Sequence, residues 1–354
     1  MNQNILQVLY VGPLIEGGTC RHRLGAIKDL GHKVSAIDTA GKEVSLKRQR
    51  YISRFCDRIF GPLDFAKVNE KIIFFIKQNK IDIIWVDKGI TIFKKTLEEV
   101  KDISPNTIIA HYNPDDPFGR ASLTGKGWRH FFKAIPVYDI HFVPRKINIE
   151  EYRKHGARKV VFYYKSFDPE IHRPIAVSPE DRSLLGGLVG FIGEYEKERA
   201  ESLLYLAQNG ISVTIIGKSW EKCPFSHPNL KIKAMSLWNT DYAKAICSFD
   251  IVLAFLRKAN RDQHTSRSLE IPACGAFMLA ERTDEHKELY VEGVEAEYFS
   301  NNEELLKKVS YYLEHPEERK QIAAQGLNRC HQSGYSNRNM LKKLLELSER
   351  AAYE

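Results

Sequence analysis

The 354-residue chain has little of what would staple it, carry it across a bilayer or hold a zinc ribbon. Its six cysteines, Cys20, Cys56, Cys223, Cys247, Cys274 and Cys330, are scattered, with no C-x-x-C pair and no framework spacing. That excludes a disulfide scaffold and reads as reduced thiols in a cytoplasmic protein. No apolar run approaches the ~18 residues of a membrane span, and the apolar stretch of the opening MNQNILQVLYVGPLIEGG has strand length rather than that of a signal-peptide core. A full G-x-G-x-x-G or P-loop pattern is missing, so neither a dinucleotide nor an ATP site is expected after the first strand. No repeat of fixed period is visible. Acidic residues are the scarcer charge, 45 against 53 Lys and Arg, and the net +8 favours anionic partners: nucleotides, phospholipid surfaces or nucleic acid.

What is present is alternation. Apolar β-branched runs at 5–11, 33–38, 82–86, 107–111 and 139–143 are separated by helical patterns at 21–30, 63–78 and 93–100. This predicts an α/β fold of buried parallel strands joined by right-handed helical crossovers. The stretch from Pro169 to Gly187 is polar and proline-rich, and the alternation restarts with a strand over 188–193. The expected organisation is therefore an N-terminal domain over 1–172, a linker over 173–187 and a C-terminal domain over 188–335. The second domain reads as strands at 211–216, 230–234, 250–255, 276–280 and 295–299, with helices at 198–208, 239–248, 266–274, 302–313 and 316–332. An amphipathic helix in 336–354, with Leu341, Leu344, Leu345 and Leu347, is expected to pack back on the N-terminal domain. Doubly wound sheets bind ligands at the carboxyl ends of their strands, so two such domains facing one another predict a cleft there.

Candidate site residues cluster in NRDQHTSRSLEIPACGAFML, residues 260–279, where a polar loop enters a helix. Thr265, Ser266 and Ser268 offer hydroxyls and amides to phosphate oxygens, with ordinary N-capping as the plainer reading. Glu270 could accept hydrogen bonds from a ribose diol, and Asp262 could reach a sugar hydroxyl. After the first strand, Gly17, Gly18 and Thr19 could meet a donor phosphate or an acceptor. Residues 112–130, rich in Gly, Pro and Asp, predict a long loop at a strand's carboxyl end. The basic segment 42–58, KEVSLKRQRYISRFCDR, could lie against anionic lipid or an acidic polymer, and a solvated helix face is the plainer reading.

The segment HTSRSLEIPACGAFMLAERTDEHKELYVEGVEAEYFSNNEELLKKVSYYLEHPEERKQIAAQG, with GFIGEYEKERAESLLYLAQNGISVTIIGKSW and FLRKANRDQHTSRSLEIPACG before it, resembles the carboxy-terminal domain of CgeB-like glycosyltransferases. These are GT-B enzymes. DIHFVPRKINIEEYRKHGARKVVFYYKSFDPEIHRP is similar to the stretch that leads retaining family-four GT-B enzymes into their linker. The resemblance implies two Rossmann-like domains facing a central cleft. In family four, two glutamates separated by seven residues hold the donor; here the pair is Asp262, toward the transferred sugar and an aspartate shorter by a methylene, and Glu270, toward the ribose. It also implies a donor site built from Gly193, Tyr195, Arg199, Lys218, Trp220, Arg257, Lys258, His264, Thr265, Ser266, Arg267 and Glu270. The cations would neutralise a diphosphate leaving group without a metal. On the acceptor side it points to His111, with Asp115 and Asp116 as candidate general bases if the reaction inverts configuration.

The function so expected is transfer of a sugar from a UDP- or GDP-linked donor to a glycan, lipid-linked or surface-polysaccharide hydroxyl, with retention and without metal or other cofactor. The cytoplasm, or the inner face of the membrane through 42–58, is the expected location, and nucleic acid is not an expected partner. Two rivals are a GT-B protein that binds a sugar or polymer without transferring it and, from the net charge, a nucleic-acid-binding protein.

Overall fold

In the computed structural model, which describes residues 5–40, 61–119 and 126–351, the chain divides into two compact units. The first takes Met1–Tyr164, Lys258–Asp262 and Asn337–Glu354; the second takes Lys165–Arg257 and Gln263–Ser336.

The first unit is a six-stranded sheet of β1 (Gln7–Gly12), β2 (Lys33–Asp38), β3 (Ile83–Asp87), β4 (Ile108–Tyr112), β5 (Ile140–Val143) and β6 (Val160–Phe162). Their spatial order is β2-β1-β3-β4-β5-β6, and every pair is parallel. Successive side chains of a strand point to opposite faces, and here both faces are apolar. Val8, Tyr10, Ile83 and Trp85 pack under α1 (Thr19–Asp29) and α13 (Asn337–Arg350). Leu9, Val11, Ile84 and Val86 pack under α2 (Val68–Gln78) and α3 (Lys94–Ile103). Two short helices, α4 (Arg129–Ala134) and α5 (Lys146–Lys154), complete it. The last helix joins this unit because Leu341, Leu344 and Leu345 are buried on the sheet, each contributing about 1.5–3 kcal/mol.

The second unit repeats the plan. It contains β7 (Gly187–Ile192), β8 (Val213–Ile216), β9 (Leu230–Lys233), β10 (Phe249–Ala254), β11 (Met278–Glu281) and β12 (Glu297–Phe299), in the parallel order β12-β11-β10-β7-β8-β9. Its helices are α6 (Pro179–Leu185), α7 (Lys197–Gln208), α8 (Asn239–Cys247), α9 (Arg267–Ala273), α10 (Asp284–Leu289), α11 (Asn302–Glu314) and α12 (Pro316–Gln332). Leu203 and Leu206 of α7 and Leu305 and Val309 of α11 cover one face of the sheet, over Val189, Phe191, Ile251 and Leu253.

The α/β class and the parallel order agree with the sequence. The stretch expected as a linker over 173–187 lies inside the second unit and holds α6. Ser178 accepts from the Asp181 amide while Asp181 accepts from the Ser178 amide, and Pro179 sits at the first helical position, so polar and proline-rich composition here caps a helix rather than loosening a chain. The described parts of the expected loop 112–130 include the start of α4. The basic segment 42–58, including Cys56, lies outside the described residues.

Candidate functional site

In the second sheet the strand order reverses between β7 and β10, which places a crevice at their carboxyl ends. Three strand exits meet there: Gly193–Tyr195 after β7, Gly217–Lys218 after β8 and Phe255–Arg257 after β10. The backbone approaches closely. A Cβ on Gly217 would sit 1.8 Å from the Gly193 carbonyl oxygen, and one on Gly193 would sit 2.7 Å from the Phe191 ring, so only glycine fits at either position. The Trp220 indole donates to the Gly193 carbonyl oxygen at 2.7 Å and is buried against Phe191 and Tyr195. That makes Trp220 a brace under the strand exits. The half-exposed indole nearby is Trp238, over which the Lys218 ammonium sits 4.9 Å from the ring centroid.

Two arginines converge on this crevice. Arg199, in the first turn of α7, is 5 % exposed and donates to the Glu194 carbonyl at 3.1 Å and the Leu256 carbonyl at 2.9 Å, tying the exits of β7 and β10 together. Arg267, which opens α9, donates across a long 3.4 Å to the Phe255 carbonyl, its one hydrogen bond among the described residues. Both guanidinium groups lie 5.7 Å from the Phe191 ring centroid, and the Nε of each is buried without a partner. Burial and then the neighbouring Arg267 charge bring Arg199 down to about 10, which still leaves it protonated at neutral pH. Glu196 lies near, 3.5 Å from Arg199 and 3.0 Å from Arg257, one carboxylate shared between two guanidinium groups. Two cations side by side, one buried and one half-buried, each with a buried Nε donor unfilled, are costly unless an anion completes them.

The 264–270 stretch continues the site. The Thr265 hydroxyl is buried without a partner, and the Thr265 amide donates to Ser268 Oγ at 3.0 Å. Ser268 faces His286 Nε2 at 2.7 Å, and His286 Nδ1 reaches the Glu281 carbonyl at 2.7 Å, which puts the ring proton on Nδ1 and makes Ser268 the donor. Burial lowers His286 to about 4, in keeping with a neutral ring. His264 is buried too: its Nε2 accepts the Lys165 amide at 2.9 Å, so its proton sits on Nδ1, 2.6 Å from Glu285. Ser266 precedes α9 without capping it through its side chain. Glu270 is 8 % exposed; its Oε2 accepts from the Tyr242 hydroxyl at 2.6 Å, and its Oε1 faces His172 Nε2 at 3.8 Å. Since His172 Nδ1 accepts the Asp168 amide, the His172 proton points at Glu270.

The remaining predicted residues belong to the first unit. Asp262 is buried and ion-paired with Arg145, a nearly fully buried side chain at the exit of β5. Lys258 lies in a 3-10 turn over Lys258–Asn260. Asp116 is fully buried and accepts from Arg261 through both oxygens, at 2.6 and 2.8 Å, and from Asn148 at 2.9 Å. Burial pushes the Asp116 carboxyl up, but Arg261 and Asn148 outweigh it and hold it below the usual range. A carboxylate so saturated with donors is an anchor for residues 258–262 and a poor proton acceptor. Asp115 is more open and pairs with Lys88 at 2.6 Å.

His111 is buried in a histidine pair, Nδ1 to His141 Nδ1 at 3.0 Å, with Phe131 stacked at 4.7 Å. His141 Nε2 faces the Ile135 carbonyl at 3.0 Å and His111 Nε2 the Lys88 carbonyl at 3.3 Å. Two neutral rings hold two protons for these three contacts, so the longest, to Lys88, goes without one. Burial, followed by the neighbouring ring, keeps His111 well below its ordinary value. In the first loop Gly18 precedes α1, and its amide already donates to the Ile15 carbonyl at 3.0 Å, with Gly17 in the left-handed region and Thr19 opening the helix.

Sequence reasoning did not single out Arg145, Arg261, Tyr242, His172, His286 or Trp238. The one signal in reach was the arginine of Val143-Pro144-Arg145, at a strand's carboxyl end. Among the described residues no group of three His, Cys, Asp or Glu side chains is placed to hold a metal ion, and no helix is long and apolar enough to cross a membrane.

Residues 199–346 match the model of a family described as glycosyl transferase-like. No curated protein matches the sequence significantly. Among solved structures, the chain is similar to Anabaena Alr3699/HepE in complex with UDP and glucose, at 13% identity over 97% of this chain and 99% of that one, TM-score 0.62. It is also similar to a glycosyltransferase from Rickettsia africae, 13% identical over 99% of each chain with TM-score 0.65. A UDP-forming alpha,alpha-trehalose-phosphate synthase from Burkholderia xenovorans is 11% identical over 99% of this chain and 100% of that one, TM-score 0.66. At such identities the likeness is one of fold. The class it defines is the GT-B fold, two Rossmann-like units each built on a six-stranded parallel sheet.

Proposed function

We propose that the protein is a glycosyltransferase that takes a sugar from a nucleotide donor to an acceptor hydroxyl, with the donor diphosphate on Arg199 and Arg267. The observation that carries this is the pair of guanidinium groups at the β7–β10 crevice, Arg199 buried and Arg267 half-buried, whose Nε atoms are both buried without a partner. A diphosphate supplies what they lack: oxygens for both Nε donors and charge for two like-signed neighbours. As the glycosidic bond breaks, negative charge grows on that diphosphate, and preformed cations stabilise it without reorganising. A metal is then unnecessary, and Lys218 and Arg257 add to the positive field. Glu270, oriented by Tyr242 and His172, is the acceptor for ribose hydroxyls. Trp238 with Lys218 offers an aromatic face to the base. The family match over 199–346 and the UDP-bound relative by fold support a nucleotide-sugar donor, UDP-linked before GDP-linked. The first unit is assigned the acceptor, a glycan or lipid-linked hydroxyl, and the reaction is assigned retention.

Calorimetric titration of UDP and GDP in EDTA tests this. Binding is expected without metal, and Arg267→Gln should weaken it by about 10- to 100-fold, the loss of one or two charge-assisted bonds at 1.5–3 kcal/mol. Unchanged affinity in that variant would remove the diphosphate assignment.

A further inference from the structure

The residues just ahead of Arg267 are held from one place, the start of α10. Thr283, which caps α10, accepts the His286 amide at 3.1 Å and donates to the Gln263 carbonyl at 2.6 Å. Glu285 accepts from His264 Nδ1 at 2.6 Å, while the Lys165 amide fixes the other side of that ring at 2.9 Å. His286 Nε2 accepts from Ser268 Oγ at 2.7 Å, which leaves a lone pair of that hydroxyl for the Thr265 amide at 3.0 Å. Gln263, His264 and Thr265 are thus tied in turn to Thr283, Glu285 and, through Ser268, His286. The His286 ring is itself held, by the Glu281 carbonyl at Nδ1 and by Tyr298, which stacks on it at 5.7 Å and donates to its carbonyl at 2.7 Å.

His264, Thr265, Ser268, Glu285 and His286 are all 5 % exposed or less. Burying so many polar groups costs folding energy that an apolar contact would not, whereas a bonded network of this kind fixes one geometry. What it fixes is the backbone around Arg267: Ser266 and Arg267 lie between Thr265 and Ser268, which are bonded to one another and, through Ser268, to His286. The Arg267 guanidinium has one long bond of its own among the described residues, so its backbone decides where it points.

We propose that His286 is a positioning residue of the donor site: acting through Ser268, it holds the chain on both sides of Arg267 so that the guanidinium meets the diphosphate without reorganising. This rests on the nucleotide reading above. His286 is fully buried behind Ser268 and acts only through it.

The test titrates the full chain calorimetrically with UDP and, by competition, with uridine, which lacks the diphosphate; GDP and guanosine replace them if GDP binds more tightly. His286→Leu should weaken UDP about 10-fold, the low end of what losing an outer-shell partner costs at metal sites, and leave uridine unchanged. Simple loss of folded protein would weaken both alike. His286→Gln, whose amide oxygen can accept from Ser268, should recover most of the UDP affinity. Ser268→Ala, a smaller cut, should act in the same sense as His286→Leu and decides the matter if that variant does not fold. Added to Arg267→Gln, His286→Leu should cost no more than about 2-fold further, because its effect passes through Arg267. Unchanged UDP affinity in His286→Leu and Ser268→Ala, equal losses for UDP and uridine, or a full additive loss on top of Arg267→Gln would overturn the proposal. A wild-type protein that binds neither diphosphate removes the nucleotide reading and this role with it, whereas wild-type binding that the variants leave intact removes the role alone.

Discussion

The first sheet reverses its strand order between β1 and β3, the second between β7 and β10, so each has the crevice that a doubly wound sheet offers to ligands. The charges placed there are handled in opposite ways. At the β1–β3 exits, Asp87 is fully buried and one of its oxygens accepts from Arg23 Nε and from the Tyr10 hydroxyl, both at 2.7 Å, while the Arg23 guanidinium lies over the Tyr112 ring. That charge is paired inside the unit through Oδ2, while Asp87 Oδ1 is buried without a partner. At the β7–β10 exits two guanidinium groups share a ring and keep donors unfilled. A crevice that neutralises itself contributes to folding, whereas one left with excess cation is prepared for an anion from outside.

The largest effect that would sharpen this contrast is on stability. Arg23→Met leaves Asp87 charged and buried with only a tyrosine hydroxyl, and should cost about 3–5 kcal/mol, as breaking a buried pair from one side does. Nucleotide affinity of the surviving folded protein should be unchanged. Urea denaturation and calorimetric titration check the two halves. If Arg23→Met destabilises little and Arg267→Gln destabilises much, the roles assigned to the two crevices are reversed.

Acid should separate the units next. His141 in the first unit and His286 in the second are both lowered to about 4 by burial, and His111 is lowered beside His141. The unfolded chain takes up these protons near pH 6.5 while the folded chain refuses them, so stability is complete above that pH and declines as it falls toward 4. His141 and His286 each contribute a loss of about 3 kcal/mol across that window, and His111 adds to it in the same direction. With His111 and His141 lowered in the first unit, and His32 and His130 lowered there as well, against His286 in the second, the first unit should lose more, and calorimetry between pH 7 and 4.5 should show the transition assigned to it moving further. Equal shifts would mean that the histidine pair is not held neutral.

The sequence made local features legible and left distant pairings hidden. Helix Pro316–Gln332 was readable to the residue, because His315-Pro316-Glu317-Glu318 starts a helix with proline and acid in its first turn. The helix Pro179–Leu185 carried an equally local signal, the Ser178–Asp181 cap, but composition alone suggested a linker. Strand β6 has three residues and helix α5 nine, too few for a hydrophobic period to stand out from the flanking sequence. In the candidate site, Arg199, Arg267 and Glu270 were named from sequence. The partners of Asp116 and Asp262 were not: Arg261 lies 145 positions from Asp116, and Arg145 lies 117 from Asp262. Hydrophobic period and capping carry no information at that range. For the same reason an acceptor-side His111 could not be told in advance from a satisfied buried histidine, since the ring it pairs with is 30 residues away.

The smallest expected effect concerns the one acid of the 113–116 loop left partly open. Asp116 is saturated by Arg261 and Asn148, so a general base in this loop would have to be Asp115. Its ion pair with Lys88 is partly solvated, with both side chains 37% exposed, and should contribute no more than about 1 kcal/mol to stability. With retention as the proposed course, Asp115→Asn should raise the acceptor KM a few-fold through the displaced Lys88, and leave kcat and nucleotide affinity near wild type. General-base catalysis is worth about 10²–10⁴-fold, so a fall in kcat of that size, with nucleotide binding intact, would make Asp115 the base and the reaction inverting. Product anomeric configuration, read by NMR on the same samples, separates these outcomes even if the KM change proves too small to measure.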